Sequence, residues 1–562
     1  MFSKKDLSLF IAAALLATVA YTLMVVDPAE YGFGVLTLWV APPLLVLAFC
    51  LPIPGILGHD FQYKESFRSM KNTWVKHAFG APVFVASLCL YMITLEPTAS
   101  LWDCSEFIAS AYKLQVPHSP GVPLFLIIAR LFCMAVLDDP IMVAPAINSM
   151  SALFSALTVL ITYHLIYYFS DRTRGSGDNS TKAVPLFSAL SGSLCLAFSD
   201  SFWFSAVEAE TYAAASFFLV LLVWLIVTGK DLSPDKRSRR FILIFYVAGL
   251  SFCIHPMCLL ALPLLPLSWY PRDTIPIRYL PLVIGMGLLV VIVINRMVGV
   301  GLFEMMFSFD LFFVNTLHAP FYTGALVLMM LIVIGFIFLL NRVKRWLHFT
   351  WAAIFLLAGF LPYVMLFIRS NHNPPIDETN PEDLALIKAY MNRDSYGSTP
   401  LLFGPYFDAE IEGVSLKRKM YFKDKSTYGV AGATSAYQYE RSRQTILPRM
   451  YSNDPGHVAA YRQWVGLKEN ERPRFSDNIE FMFRMQLGEM YFRYLLFNFA
   501  GRESDIQYSS WLKPWESPGP EKSRNQYWMV PLLLGMAGGI YQFRRNKKDF
   551  LAVGIFFLVT GA

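Results

Sequence analysis

Charge is scarce in this chain. Asp, Glu, Lys and Arg make up 16% of its 562 residues, against about 25% in ordinary soluble domains. The net charge of +6 is small for the length, and no basic-aromatic motif of the nucleic-acid-binding kind is present. Cysteine is sparse too: seven residues, none in a C-x-x-C pair, so neither a disulfide framework nor a zinc site is expected and the thiols read as small apolar residues. No P-loop, HExxH, GxSxG or GxGxxG motif occurs, which removes the chemistries those motifs carry. What is abundant is apolar sequence: 55% of residues, with a mean hydropathy of +0.44. Disorder, a coiled coil and a single soluble globule are excluded, and an α-helical polytopic membrane protein is predicted.

About 20 apolar residues are needed to cross the hydrocarbon. Runs of that kind predict spans near 7–26, 34–52, 80–96, 142–169, 184–200, 206–228, 241–255, 257–271, 276–296, 321–341, 349–368 and 527–543, with a further run from Phe550 to Ala562, or about 12–13 helices in all. The pair 241–255 and 257–271 consists of short runs divided by His255-Pro256. No small-residue cleavage site follows the first run, so it is read as a span and not as a leader.

Lys and Arg in the short loops set the orientation. With Lys4 and Lys5 inside, the inner loops carry Lys64, Arg68, Lys71 and Lys76; Arg172, Arg174 and Lys182; Lys230, Lys236, Arg237, Arg239 and Arg240; Arg272 and Arg278; Arg342, Lys344 and Arg345; and Arg544, Arg545, Lys547 and Lys548. The short outer loops hold only Lys113, Arg130 and Arg296. The resulting organisation is two N-terminal helices and a basic inner loop (1–79), a membrane core (80–369) with a long first outer loop (96–141), a mixed soluble domain on the outside (370–526), and C-terminal helices (527–562). In the soluble segment, Thr379-Asn380-Pro381-Glu382-Asp383 predicts a helix start. An apolar-rich helix is predicted over 477–499, with Asp477 and Glu480 placed like a capping box.

Residues able to do chemistry gather on the outer side. Asp103 and Glu106, in Glu96-Pro-Thr-Ala-Ser-Leu-Trp-Asp-Cys-Ser-Glu106, would share one helix face, although Ser100 and Asp103 also fit a plain capping box. His118 lies in a Pro-rich turn. Glu208 and Glu210, with Tyr212 close behind, open the sixth span; their spacing lets one line a cavity while the other caps the helix. His255 ends another span. Arg369 could bind a phosphate bidentately or merely snorkel to the interface, and Asn373, Asp377 and Glu378 follow it. Apolar helices topped by acid, histidine and arginine side chains suit a lipid-borne substrate whose polar head reacts at the interface.

The sequence resembles a large family of bacterial membrane proteins, common in the Bacteroidetes and long without an assigned function, that also includes a eukaryotic endoplasmic-reticulum protein O-mannosyltransferase. The matching motifs are Trp102-Asp-Cys-Ser-Glu-Phe107, His118-Ser-Pro-Gly-Val-Pro-Leu-Phe125, Val207-Glu-Ala-Glu-Thr-Tyr212, Gly249-Leu-Ser-Phe-Cys-Ile-His255, Arg369 with Asn373-Pro-Pro-Ile-Asp-Glu-Thr-Asn-Pro381, Arg393-Asp-Ser-Tyr-Gly397, Tyr491-Phe-Arg-Tyr494 and Asn498-Phe-Ala-Gly-Arg502. They run from about Phe84 to the C-terminal end. Two spans precede the usual first core helix, 118–121 reads His-Ser-Pro-Gly where the family more often has His-Pro-Pro-Gly, and the chain stops inside a span where relatives continue.

The resemblance implies a GT-C-like glycosyltransferase of the bacterial inner membrane, with its N-terminus cytoplasmic and its active site facing the periplasm. It would move a sugar, such as mannose, from a polyprenyl phosphate to Ser or Thr of an exported protein, with inversion. Asp103 would be the general base with Glu106 beside it. Arg369, His255 and His118 would stabilise the leaving phosphate, and Glu208, Glu210, Tyr212, Asn373, Asp377 and Glu378 would line the substrate site. The lipid-linked sugar is a co-substrate, and a divalent metal is possible but not required. The alternatives are transfer to a lipid or surface glycan, a transporter or flippase of lipid-linked glycans that uses the carboxylates as a pathway, and a structural export component.

Overall fold

The computed structural model of the protein describes residues 2–58, 67–173, 183–229, 232–266, 276–397, 399–504, 506, 509–513, 515 and 525–561. Of the inner-loop cations, Lys64, Arg174, Lys182, Lys230 and Arg272 lie outside the described residues. The chain divides into two compact units. The first comprises Met1–Phe198, Phe202–Asn392 and Met536–Ala562; the second comprises Ser199–Ser201 and Arg393–Gly535.

The first unit is helical. Seven helices among the described residues are long and apolar enough to cross a membrane: Lys4–Val25, Glu30–Leu57, Pro140–Arg172, Thr211–Thr228, Gly285–Asn315, Thr323–Arg342 and Lys344–Ser370. An eighth span would be the pair Ala183–Ala197 and Asp200–Ala206, bent by 67°. The protein is thus a polytopic helical membrane protein, with fewer full-length spans than the apolar runs predict. The run at 80–96 belongs to the helix Phe67–Ile93, of which only Phe79–Ile93 is apolar. Among the described residues the run at 257–271 shows no spanning helix: Pro256–Leu264 is a 3-10 segment with Pro263 inside, and an interior proline removes the N–H that an α-helical turn needs. The run at 276–296 continues to Asn315.

Helix starts follow their capping chemistry. Ser3 and Asp6 form a reciprocal box at the first helix, and the Asp139 carboxylate accepts from the Ile141 N–H ahead of Pro140; each satisfies N–H groups that a helix start leaves orphaned. Small residues bring helices together. A Cβ on Gly249 would meet the Leu356 carbonyl at 2.4 Å, and one on Gly359 would meet the Leu250 nitrogen at 2.7 Å, so the helices Pro234–Phe252 and Lys344–Ser370 touch backbone to backbone, as small residues allow in membranes.

The segment 96–141 holds two shorter helices, Cys104–Lys113 and Pro123–Ala135. The segment between them and the start of the second helix are tied in three places. Val116 pairs in parallel with Asp377, the Tyr390 hydroxyl donates to the Pro117 carbonyl at 2.5 Å, and the Leu124 N–H donates to the Cys253 carbonyl at 3.2 Å. Gly121 turns the chain at φ +71, where a Cβ would meet Leu366 and the Tyr390 hydroxyl. Residues 370–392, expected in the soluble domain, belong to the first unit. The helix there is Leu384–Asn392, capped by Asp383, whose carboxylate accepts from the Ala385 and Leu386 N–H groups. It therefore starts later than Pro381, because Thr379 and Asn380 take left-handed backbone angles.

The second unit carries two small antiparallel sheets. Strand β1 (Phe403–Pro405) pairs with β4 (Gln444–Ile446), and β2 (Ile411–Lys423) with β3 (Tyr428–Tyr439). The expected helix over 477–499 is observed as the continuous helical run Phe475–Ala500. Its cap differs from the expected one: the Asp477 carboxylate accepts from the Arg474 N–H at 2.8 Å, while Glu480 pairs with Arg484.

Candidate functional site

The first unit collects most of the expected residues at the N-terminal end of the helix Cys104–Lys113. Asp103 is the residue just before that helix and makes no capping hydrogen bond. Ser100, the other half of the expected capping box, donates instead to Glu208 at 2.6 Å, 108 residues away. The capping reading therefore fails, and the Asp103 carboxylate remains 57% exposed.

Glu106 and His118 form the tightest pair. One Glu106 oxygen accepts the His118 backbone N–H at 2.6 Å, and the other lies 2.7 Å from Nδ1. A carboxylate can only accept, so Nδ1 carries the proton and Nε2 is turned toward Asp103, 4.0 Å from its Oδ2. Burial would raise the Glu106 carboxyl, but the bonds from the His118 ring and backbone outweigh it and hold the group below its ordinary value. His118 is thus a partner of the acid pair and not a plain surface residue. Donor atoms of Asp103, Glu106 and His118 lie within 4.8 Å of one another. That spacing is small enough to share a divalent cation; in the structure Glu106 and His118 are hydrogen-bonded to each other, with Asp103 4.0 Å from His118 Nε2.

Behind it stand two buried carboxylates, Glu208 and Glu210. Burial and the charge of Glu96 lift Glu208 above its ordinary value against the Ser100 hydrogen bond. Glu210 precedes the helix Thr211–Thr228, and the Cys104 thiol donates to it at 3.7 Å. Burial, with the charges of Asp103 and Glu208, pushes Glu210 up to about 7. Tyr212 is exposed, and its ring lies 5.7 Å from that of His255. The His255 Nδ1 accepts from the Met257 N–H, so this histidine also serves as a helix cap.

The cluster that begins at Arg369 is arranged differently. Arg369 is fully buried, with Nε donating to the Leu114 carbonyl at 2.7 Å, Nη1 to Gly32 at 3.0 Å and Nη2 to Tyr31 at 2.7 Å. It does not snorkel, and its guanidinium is bonded within the protein. Asp377 is half-buried and accepts from Ser370 at 3.0 Å; burial and Glu382 push it up to about 6 in spite of Ser370 and Arg369. Asn373 is exposed with a left-handed backbone. Glu378 is exposed, and its N–H donates to the Val116 carbonyl at 3.0 Å.

Sequence reasoning missed Ser100 as the partner of Glu208, Cys104 as the partner of Glu210, and Arg130. Arg130 is fully buried and paired with Asp138 at 2.6 Å. A lone arginine inside the apolar Pro123–Ala135 was the available signal.

The fold and this cluster define a polytopic membrane protein with an acidic, histidine-bearing segment between its apolar helices. Residues 103–276 match the family described as protein O-mannosyl-transferase TMEM260 N-terminal domain, and residues 397–483 match a family of unknown function, DUF8416. The chain is similar to the protein O-mannosyl-transferase TMEM260 of Mus musculus, 28% identical over 187 residues, covering 33% of this chain and 24% of that protein. It is also similar to the protein of the same name from Dictyostelium discoideum, 22% identical over 143 residues, covering 25% and 16% respectively. The chain is thus related to these transferases while spanning under a quarter of their length. No solved structure matches it. The first match begins at Asp103 and includes Glu106, His118, Glu208, Glu210, Tyr212 and His255; Arg369, Asn373, Asp377 and Glu378 lie beyond it.

Proposed function

We propose that the protein is a membrane glycosyltransferase that moves a sugar, mannose on the strength of its relatives, from a polyprenyl-phosphate donor to a Ser or Thr hydroxyl of an exported protein. The reaction runs at the outer face of the bacterial inner membrane, in a GT-C-like core. The observation that carries this reading is Asp103: an exposed carboxylate beside a hydrogen-bonded Glu106–His118 pair, at the head of the stretch similar to the O-mannosyl-transferase domain.

In the proposed step the acceptor oxygen attacks the anomeric carbon from the face opposite the lipid phosphate. Its proton passes to Asp103 as the new C–O bond forms. The bond from the anomeric carbon to the phosphate oxygen breaks, and the phosphate leaves with the electron pair, so configuration inverts and no leaving-group protonation is required. Glu106 holds His118 with Nε2 beside Asp103, and a protonated His118 ring, donating from both nitrogens, would set a positive charge next to the reacting groups. Tyr212 and His255 flank the substrate, and the buried Glu208 and Glu210 form the acidic wall behind Asp103. No cofactor beyond the lipid-linked sugar is invoked.

The test is transfer by purified, detergent-solubilised protein from polyprenyl-phosphate mannose to a Ser/Thr peptide, read by mass spectrometry. A hexose-modified peptide of inverted configuration supports the proposal. Absence of product across acceptor peptides, with vesicle-dependent movement of the lipid-linked sugar instead, would favour a transporter.

A further inference from the structure

The C-terminal end of the helix Cys104–Lys113 is held by two buried arginines, and both lead to the same place. Arg130 donates through Nη1 to the Tyr112 carbonyl at 2.7 Å and through Nε to the Leu38 carbonyl at 2.8 Å. Arg369 donates through Nε to the Leu114 carbonyl and through Nη1 and Nη2 to the carbonyls of Gly32 and Tyr31. Tyr112 and Leu114 sit at the helix end where carbonyls lack intrahelical partners and the helix dipole favours a cation. Leu38, Gly32 and Tyr31 belong to the N-terminal helix pair and its connecting turn, which precede the stretch similar to the O-mannosyl-transferase domain.

That turn is shaped to receive a guanidinium. Tyr31 and Gly32 both have left-handed backbone angles, φ 56 and 61. A Cβ on Gly32 would stand 2.4 Å from Arg369 Nη1. The Phe33 ring lies 5.5 Å from the Arg369 guanidinium carbon. Asp27 is buried and accepts from the Thr37 and Ala29 N–H groups, which fixes the turn, and His372 Nε2 lies 2.9 Å from the Met24 carbonyl.

We infer that the N-terminal helix pair is a socket for the acid-bearing helix, and that Arg130 and Arg369 are positioning residues which seat Asp103 and Glu106 through its far end. This assigns the pair a part in the site, and it makes Arg369 a clamp and not a phosphate ligand. Its activity arm rests on the transferase reading; its labelling arm does not.

The labelling arm uses Cys104, in the first turn of that helix and fully buried, with the buried Cys253 and Cys258 as internal controls. In the full-length protein, Arg369→Ala and Gly32→Ala should raise the rate at which a thiol reagent modifies Cys104 by roughly 10-fold or more, with Cys253 and Cys258 still protected, because only the clamped helix loosens. In the transfer assay the same variants should lose roughly 10- to 100-fold in kcat, with the Kd for polyprenyl-phosphate mannose unchanged within about twofold. If Arg369→Ala exposes all three thiols it has unfolded, and Gly32→Ala, which removes no charge, decides. Cys104 protected as in the parent protein would overturn the socket. A fall in donor affinity matching the fall in rate, with Cys104 protected, would return Arg369 to the donor phosphate. Cys104 released in a protein that transfers no sugar would keep the socket and remove the transferase.

Discussion

The two ends of the helix Cys104–Lys113 treat charge in opposite ways. At the C-terminal end, Arg130 and Arg369 are fully buried and bonded to carbonyls or to Asp138. Burying a cation is tolerable only when it is bonded this fully, and a group so committed is poorly placed to change partners during a reaction. At the N-terminal end, Asp103 is more than half exposed, stands 4.0 Å from His118 Nε2, and makes no capping hydrogen bond. The saturated end can position, and the under-bonded end can react.

The comparison can be broken first at the reactive end. Asp103→Ala should lower kcat on the order of 1,000-fold, within the usual range for loss of a general base; a loss under about threefold would move the base to another residue. Next, Glu106→Gln keeps the shape of the side chain but not its charge. It should cost roughly 10-fold in kcat as His118 loses a charge-assisted bond, and rescue by Glu106→Asp should be partial because the shorter side chain cannot span both His118 contacts. Wild-type activity in Glu106→Gln would separate His118 from the chemistry.

A third test concerns Glu210 and is read as stability. Its folded-state value of about 7 lies above the ordinary 4.5, so the fold favours the protonated form. That contribution is fully present below about 4.5, and it is lost as pH rises through about 7. Glu210→Gln should therefore leave Tm nearly unchanged at pH 4.5 and raise it above the parent protein's at pH 8. Parallel Tm profiles would show that Glu210 is not held protonated. The smallest effect belongs to the second unit: Arg484 and Glu480 pair on an exposed surface, and Glu480→Ala should shift stability by less than about 0.5 kcal/mol in a melt.

Much of the proposed reactive end could be singled out in the sequence, because carboxylates beside apolar runs are costly and conspicuous. Asp103, Glu106, Glu208 and Glu210 could be singled out that way. Their partners were not. Ser100 reads as a cap for Asp103 when only local spacing is visible, and its bond to Glu208 exists because two distant segments fold together. His118 reaches Glu106 because the chain reverses at the left-handed Leu114 that ends the helix, and Tyr390 ties the returning segment at Pro117. Arg369 was the clearest misreading. At the end of an apolar run an arginine looks free to reach water or a phosphate, and nothing local reveals that the Tyr31–Gly32 turn will meet it. Helices were legible from apolar runs, but 257–271 was read as a span on hydropathy, and its described part is a 3-10 segment with Pro263 inside.

The most direct measurement of the central claim is single-turnover transfer by Asp103→Asn beside its donor affinity. Asparagine keeps the volume of the side chain and removes its basicity. The account predicts a rate of transfer at least roughly 100-fold lower with a Kd for polyprenyl-phosphate mannose within about twofold of the parent protein. A full rate of transfer, or a loss of rate that arises wholly from weaker donor binding, would contradict it.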